Sequence, residues 1–437
     1  VTRGVARFRG PDGTEWTTDR GRSDFDRTRA IRKKILEGYR PVAWDRDWQS
    51  PRAWPPRELT LEARLTSDEN RIEDFLVYSD WLQAAGNPRG ALIAVQHRLA
   101  SLPAGDPARA ALEAEERALL DAHREALLGP LAAIDPAYLQ LEWHLGFIRG
   151  ARIHRTGYID AQLPLAEEVL WHLLDEERAP FLERLTLGLI EWGDQDNQAV
   201  VTLLQDPPFA PPPLRVLRIG AFGGDDLFDR GEIDISRAWL APLTRLSALY
   251  PRLEELELTG RLNGRMPGDR LFGDLELPSL RRFTFRTGGL PVEHLEELRR
   301  ARWPRLESLD LWFGDEDYGG TCTVDDVLPL LDGRAALPPS LVRLGLRNAS
   351  FADALVEPLL ASPLLPRLRA LDLSLGVLTD DGAALLARGR DRLAHLERLD
   401  LRDNCLSSDG VALVRDLCRE VITIDNDPGF RYVSVSE

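Results

Sequence analysis

A chain of 437 residues with 43% hydrophobic and 29% charged side chains has a globular composition, but it is longer than one compact core usually grows. No apolar run approaches the roughly 18 residues of a membrane helix, and three cysteines without paired spacing exclude a disulfide-stapled scaffold. The formal charge is −16, yet residues 1–57 hold 14 Lys/Arg against 8 Asp/Glu, so the remainder carries −22 and opposes nucleic-acid binding.

The first segment, residues 1–57, begins VTRGVARFRGPDG and has no apolar signal-peptide core. Together with the cysteine usage this sets the expectation of a reducing cytoplasm. Lysine occurs only at Lys33 and Lys34, with arginine elsewhere, which is the usage of a GC-rich bacterial coding sequence. The stretch DRGRSDFDRTRAIRKKILEGYRPV resembles the closing half of a WGR domain, with Arg20, Gly21 and Arg22 where Trp-Gly-Arg would stand and Gly38 and Tyr39 at its usual end. The signature tryptophan is missing and the middle is short. PVAWDRDWQSPRAWPP, with three tryptophans and four prolines, reads as an extended segment lying against a surface.

Residues 58–135 read as helical. Thr66 and Glu69 suit a capping box, and Ile72, Phe75, Leu76, Ser79 and Leu82 then mark one face of a helix ending near Gly86. GNPRG makes the turn, with Asp80 expected to hydrogen-bond to it, and a second helix runs from about residue 90 with Leu92, Val95 and Leu99 inward. A third helix follows from PARAALEAEERALLDAHREALLG. The stretch RIEDFLVYSDWLQAAGNPRGALIAVQHRL resembles the bacterial repeat-companion domain, a helical module that typically accompanies repeat proteins. Val77, Tyr78, Asp80, Trp81, Leu82, Gly86, Pro88, Arg89, Gly90, Ile93 and Gln96 carry the match, and Ser79 and Asn87 depart mildly from it. The resemblance implies company, not chemistry, and the motif's residues read as packing groups.

Residues 136–437 are dominated by L-x-x-L-x-L, starting at 182, 214, 253, 280, 306, 341, 368 and 396. Apolar positions alternate inward and polar ones outward, and helical patterns such as DDGAALLARGRDRLAHL lie between the strands. Such strand-helix units bury their apolar faces only by stacking. The expected fold is α/β: a leucine-rich-repeat solenoid, its curved parallel sheet inside and helices outside, preceded by a small helical domain. IRGARI at 148 suits a degenerate first strand and VITIDN at 421 a last one, nine or ten in all. The segment LRALDLSLGVLTDDGAALLARGRDRLAHLERLDLRDNCLSSDGVALV is most similar to ribonuclease-inhibitor-like repeats. That class places Asn or Cys three residues after the last strand leucine. Only Asn404 obeys; Ile190, Phe222, Arg261, Gly288, Gly314, Ala349 and Gly376 stand elsewhere, so other bends need other means, such as glycine turns.

No local signature of catalysis is present: there is no G-x-S-x-G and no phosphate-binding glycine loop, GRLNGRMPG having the wrong spacing. The histidines are dispersed, and Asp315, Asp317 and Asp326 match a calcium loop too poorly to replace a solvated acidic loop. Cys405 and Cys418 read as buried, leaving Cys322 as the exposed thiol. The chain is therefore read as a non-enzyme without cofactor, metal or small-molecule substrate.

Alternate side chains of a strand face opposite ways, so the third, fifth and seventh repeat positions map the concave face. Trp312 with Phe313 stands out there, flanked by Arg286 and Arg347; it is either an anchor for a partner or a plate over a thin place in the core. Asp310, Asp372 and Asp400 beside Arg282, Arg343, Arg398 and Arg402 make the rest of the face charged in both signs. Nine strands about 4.8 Å apart span roughly 40 Å, enough for about 800 Å² per partner. The expected function is a scaffold, adaptor or inhibitor holding another protein, encoded in the same operon, on these residues. The alternative is a sensor of a signalling or defence system whose basic first segment meets nucleic acid or an effector.

Overall fold

The computed structural model describes residues 5–18, 24–45, 58–65, 71–154, 165–175, 179–188, 190, 195–207, 209–220, 235, 238–262, 270–335, 337–429 and 432–435. They fall into two units, Val1–Thr186 with Thr202–Leu214, and Leu187–Val201 with Arg215–Glu437. Arg20, Gly21, Arg22, the Thr66–Glu69 cap, Phe222 and most of the GRLNGRMPG loop lie outside the described residues.

In the first unit, β1 (Val5–Arg9), β2 (Glu15–Thr17) and β3 (Arg40–Asp45) form an antiparallel sheet in the order β2-β1-β3, with helix α1 (Asp24–Leu36) between β2 and β3 in the chain. Residues 41–45 of PVAWDRDWQSPRAWPP are thus a strand of this sheet, and residues 46–56 lie outside the described residues. Trp44 is buried, its ring 5.5 Å from Phe8 and 6.3 Å from Trp171, because a pleated strand points alternate side chains into the core.

Helices α2 (Leu59–Leu65), α3 (Ile72–Ala84), α4 (Pro88–Ser101), α5 (Ala108–Ala122) and α6 (Arg124–Leu128) follow. α3 stops where expected, at Gly86 in the left-handed conformation (φ 72°), and Leu92, Val95 and Leu99 are buried on α4. Phe75, Tyr78, Ser79 and Leu82 are buried on α3, whereas Ile72 is exposed at its first position. Asn87 caps α4 by accepting from Arg89 N (3.0 Å), and its own N–H bonds to Leu82 O (2.8 Å). Asp80 is exposed and makes none of the turn's bonds, contrary to expectation: the turn's donors are met from within. At Gly90 a Cβ would sit 2.6 Å from Ser79 O, so this glycine permits the close crossing of α3 and α4.

The remaining motif residues grip a hairpin. Strands β4 (Leu139–His144) and β5 (Phe147–Ile153) pair antiparallel about a turn at Leu145 (φ 48°) and Gly146 (φ 76°). Gln96 Oε1 accepts from Gly146 N (2.7 Å), while Arg89 Nη1 donates to Gly146 O (2.5 Å) and lies 4.7 Å over the Phe147 ring. The repeat-companion-like stretch therefore works as scaffold in this structure, holding one turn by its backbone. IRGARI is indeed a strand, but its partner LQLEWH was not anticipated. Helix α7 (Ala166–Leu173), strand β6 (Arg184–Leu187) and helix α8 (Gln198–Gln205) come next in the chain.

The second unit holds a mostly regular α/β array. Strands β8 (Val216–Ile219), β10 (Glu255–Thr259), β12 (Arg282–Arg286), β13 (Ser308–Gly314), β14 (Arg343–Ala349), β15 (Ala370–Asp372), β16 (Arg398–Asp400) and β17 (Val421–Ile422) pair in parallel, each beside the next. Their register follows the sequence repeat: Glu255, Arg282, Ser308, Arg343, Ala370 and Arg398 stand abreast, as do Glu257, Thr284, Asp310, Gly345, Asp372 and Asp400. Helices α10 (Val292–Arg300), α11 (Val324–Leu331), α12 (Ala352–Ala361), α13 (Asp380–Arg388) and α15 (Ser408–Val414) alternate with the strands; the short α14 (Arg390–Leu393) follows α13. Leu309, Leu311, Leu344, Leu346, Leu371, Leu399 and Leu401 are buried with Val327, Leu330, Leu355, Leu359 and Leu386 from the helices, each contributing roughly 1.5–3 kcal/mol by leaving water.

The long interval after residue 214 does more than carry a loop. It contributes the short helix α9 (Leu246–Leu249) and β9 (Ala238–Leu240), a strand that lies between β7 (Gln195–Asp196) and β11 (Arg261–Leu262) in a separate small parallel sheet. The bends divide as the repeat sequence suggests. Asn404 donates to Leu373 O (3.0 Å) and Leu401 O (3.1 Å) and accepts from Leu378 N (2.9 Å). Asn426 repeats this at the last turn, donating to Leu401 O (3.2 Å) and Thr423 O (2.9 Å). Gly220, Gly260 and Gly314 take left-handed conformations at other bends.

A side-chain ladder ties successive helices. Thr379, the cap of α13, bonds through N and Oγ1 to Asp353 (2.8 and 2.7 Å), and Ser407, the cap of α15, bonds through N and Oγ to Asp380 (2.9 and 2.5 Å). These bonds hold the Asp380 carboxyl below its ordinary range.

Candidate functional site

Side chains at the third, fifth and seventh repeat positions lie on the sheet face opposite the buried leucines, and the structure gathers them into three groups. In the first, Glu255 is clasped by Arg218 Nη2 (2.5 Å) and Arg282 Nη2 (2.5 Å), and Arg286 Nη1 reaches Glu257 (2.9 Å). Burial alone would raise the Glu255 carboxyl, but hydrogen bonds from Arg282 and Arg218 outweigh it and hold the carboxyl below its usual range.

The second group centres on Trp312, which is 7% exposed. Arg347 lies 4.7 Å and Arg286 5.7 Å from its ring centroid, so the indole is covered by two guanidinium groups and is not an open anchor. Its Nε1 is buried with no hydrogen-bond partner among the described residues. Arg347 also donates to Ser374 Oγ (2.9 Å) and stands 3.5 Å from both Asp310 and Asp372. Asp310 leans into the space above Gly345, where a Cβ would meet its Oδ1 at 2.6 Å. Burial pushes the Asp310 carboxyl above its ordinary value and Asp372 adds to the rise, against the pull of Arg347 and Arg286.

In the third group Asp400, nearly fully buried, receives Arg402 Nη2 (2.6 Å) and Arg398 Nη2 (3.2 Å). Here burial raises the carboxyl less than Arg402 and Arg398 lower it, so it stays ionised below the usual range. Arg343 stands apart: it is exposed, and among the described residues no hydrogen bond or ion pair engages its side chain, while its backbone N donates to Glu307 O (3.0 Å).

Phe313 does not belong to this face. It is 1% exposed, with its ring 5.2 Å from Phe351, because alternation along β13 puts it on the same side as Leu309 and Leu311. Glu255, Glu257 and Arg218, at third and fifth repeat positions, belong to this face as well; the signal for them in the sequence is opposite charge at adjoining positions of neighbouring repeats. Among the described residues of the second unit, the third, fifth and seventh repeat positions carry seven arginines (218, 282, 286, 343, 347, 398, 402) against five carboxylates (255, 257, 310, 372, 400), on a chain whose formal charge is −16.

The expected exposed thiol is buried. Cys322 is 9% exposed, and burial with Asp326 and Glu293 nearby pushes its pKa to about 12. Cys405 is buried as expected; Cys418 is half-buried, its Sγ 3.2 Å from Glu420 O. Asp315 and Asp326 serve as helix-turn caps, accepting from Asp317 N (3.0 Å) and Thr323 N (2.9 Å).

Residues 366–387 and 392–414 each match the leucine-rich-repeat family. The chain contains leucine-rich repeats. These two matches cover the β15–α13 and β16–α15 units, where strand, Asn404 bend and capped helix are most regular. The crystal structure of a protein from Bacteroides fragilis is similar over 76% of this chain and 88% of its own, with a TM-score of 0.54 and 23% identity, a likeness of fold alone. No curated protein matches. Among the described residues no helix is long and apolar enough to cross a membrane.

Proposed function

We propose that the chain is a non-enzymatic protein-binding scaffold whose leucine-rich repeats form a solenoid and present the open face of the parallel sheet to another protein. The observation that carries this reading is the face itself: strands in register set out arginine and carboxylate side chains repeat by repeat, with the Arg343 side chain exposed at its middle and unpaired among the described residues. Arginine fixed by neighbours on a rigid sheet loses little freedom on binding and suits interface hot spots. The net excess of arginine favours a partner surface rich in carboxylates. The partner would be a protein of the same operon, and whether it is inhibited or assembled is a property of that partner.

The test replaces Arg343 with glutamate and compares capture of the operon's other proteins by the full chain, with melting as the control. Capture lost at unchanged melting supports the reading; capture unchanged by the reversal overturns it.

A further inference from the structure

We propose that the rim formed by the chain ends of β14, β15 and β16 is a binding track for extended peptide, occupied in cis by the chain's own residues 433–435. Three rim residues one repeat apart, Asn348, Leu375 and Asp403, hold left-handed backbone conformations (φ 53°, 67° and 51°). Asparagine and aspartate tolerate that conformation; leucine rarely adopts it, so its recurrence at this place marks a shape the rim imposes.

The tail crosses these residues in the direction opposite to the growth of the sheet. Ser434 Oγ donates to Asp403 O (3.2 Å), Ser434 N donates to Leu375 O (2.9 Å), and Val435 N donates to Asn348 Oδ1 (3.0 Å). Asn348 Nδ2 returns a bond to Val435 O (2.5 Å), so one side-chain amide satisfies both backbone groups of one residue. Asn348 is fully buried and Val433 nearly so, which makes the contact a built one.

All but one of these bonds address the main chain. The track therefore selects an extended segment with free N–H groups and small side chains, the mode by which strand-adding domains take peptides. It lies at the strand ends, not on the open face, and stands independently of the function proposed above. Tethering gives the cis tail an effective concentration of about millimolar, so a peptide in trans binds only when the tail is released.

The test uses the full chain carrying Ser434→Pro and Val435→Pro, which removes both N–H donors, and a fluorescent peptide of sequence FRYVSVSE followed by anisotropy. The peptide should bind this variant at least about tenfold more tightly than the unaltered chain, and adding Asn348→Ala should abolish the gain. Equal binding to all three, or none to a variant with unchanged melting, overturns the proposal. Should the double-proline chain fail to fold, amide exchange in the unaltered chain decides. Ser434 and Val435 should exchange at least about tenfold faster in Asn348→Ala, and equal rates overturn it.

Discussion

Trp312→Ala separates a packed indole from a free one. The side chain is 7% exposed and lies between two guanidinium groups, so its removal takes away nearly a full tryptophan of buried contact. Truncations of buried Trp to Ala cost about 3–5 kcal/mol; water can enter from the open face, which puts the expectation near 3 kcal/mol. The second unit is of a size for which each kcal/mol moves the midpoint by roughly 2–4 °C, so melting followed by circular dichroism should fall by roughly 6–12 °C. Arg343→Ala, exposed on the neighbouring strand, should leave the midpoint within about 1 °C. Trp312→Phe should recover most of the loss, since it keeps a ring between the arginines and removes an indole N–H that has no partner among the described residues. A Trp312→Ala chain that melts with the unaltered one would refute the reasoning and restore the indole as a free anchor.

Two carboxylates on the same face should respond to pH with opposite signs. Glu255 sits below its ordinary value, so its contribution is present above that value and lost as pH falls through the folded one; Glu255→Gln should lower stability by about 1–2 kcal/mol at pH 7 and by less at pH 3. Asp310 sits above its ordinary value, so ionising it in the fold is costly; Asp310→Asn should melt higher at pH 7 and level with the unaltered chain at pH 3. Cys418 should react with a maleimide at pH 7.5 well before Cys322, and mass spectrometry of partly labelled chains reads the order; early labelling of Cys322 would contradict its burial. Gly410→Ala should cost about 1–3 kcal/mol because the new Cβ overlaps the Asp380 carboxylate that holds Ser407, whereas Gly105→Ala, with nothing nearby, should cost little.

The repeat was legible because its period is strict where it matters. Leucines at 306, 309 and 311 or at 396, 399 and 401 announce both the strand and its inward face, and the register pairs the same repeat positions that the sequence aligns. Asn404 was readable for a similar reason, since a buried side-chain amide at a bend has few other uses. What escaped notice lies between repeats or across them. Trp312 occupies an outward position by alternation, yet Arg286 and Arg347 fold over it; a strand pattern reports direction and not what neighbouring strands lay on top. Phe313, two residues after Leu311 in the same strand, faces inward by the very alternation that turns Trp312 outward, so its place was readable. Cys322 sits in a polar stretch of sequence but is covered by residues distant along the chain. The small sheet of β7, β9 and β11 is built from two- and three-residue strands, too short for any periodicity to register. The roles of Arg89 and Gln96 needed the hairpin turn at Gly146, fifty and more residues away.

The claim that the open face binds a protein is most directly tested by photo-crosslinking in the native cell. A benzophenone amino acid at Arg343, on the open face, is compared with one at Arg388, exposed on helix α13. The account predicts a discrete adduct with one protein from position 343 and none from 388. An adduct from 388 with none from 343 would contradict it.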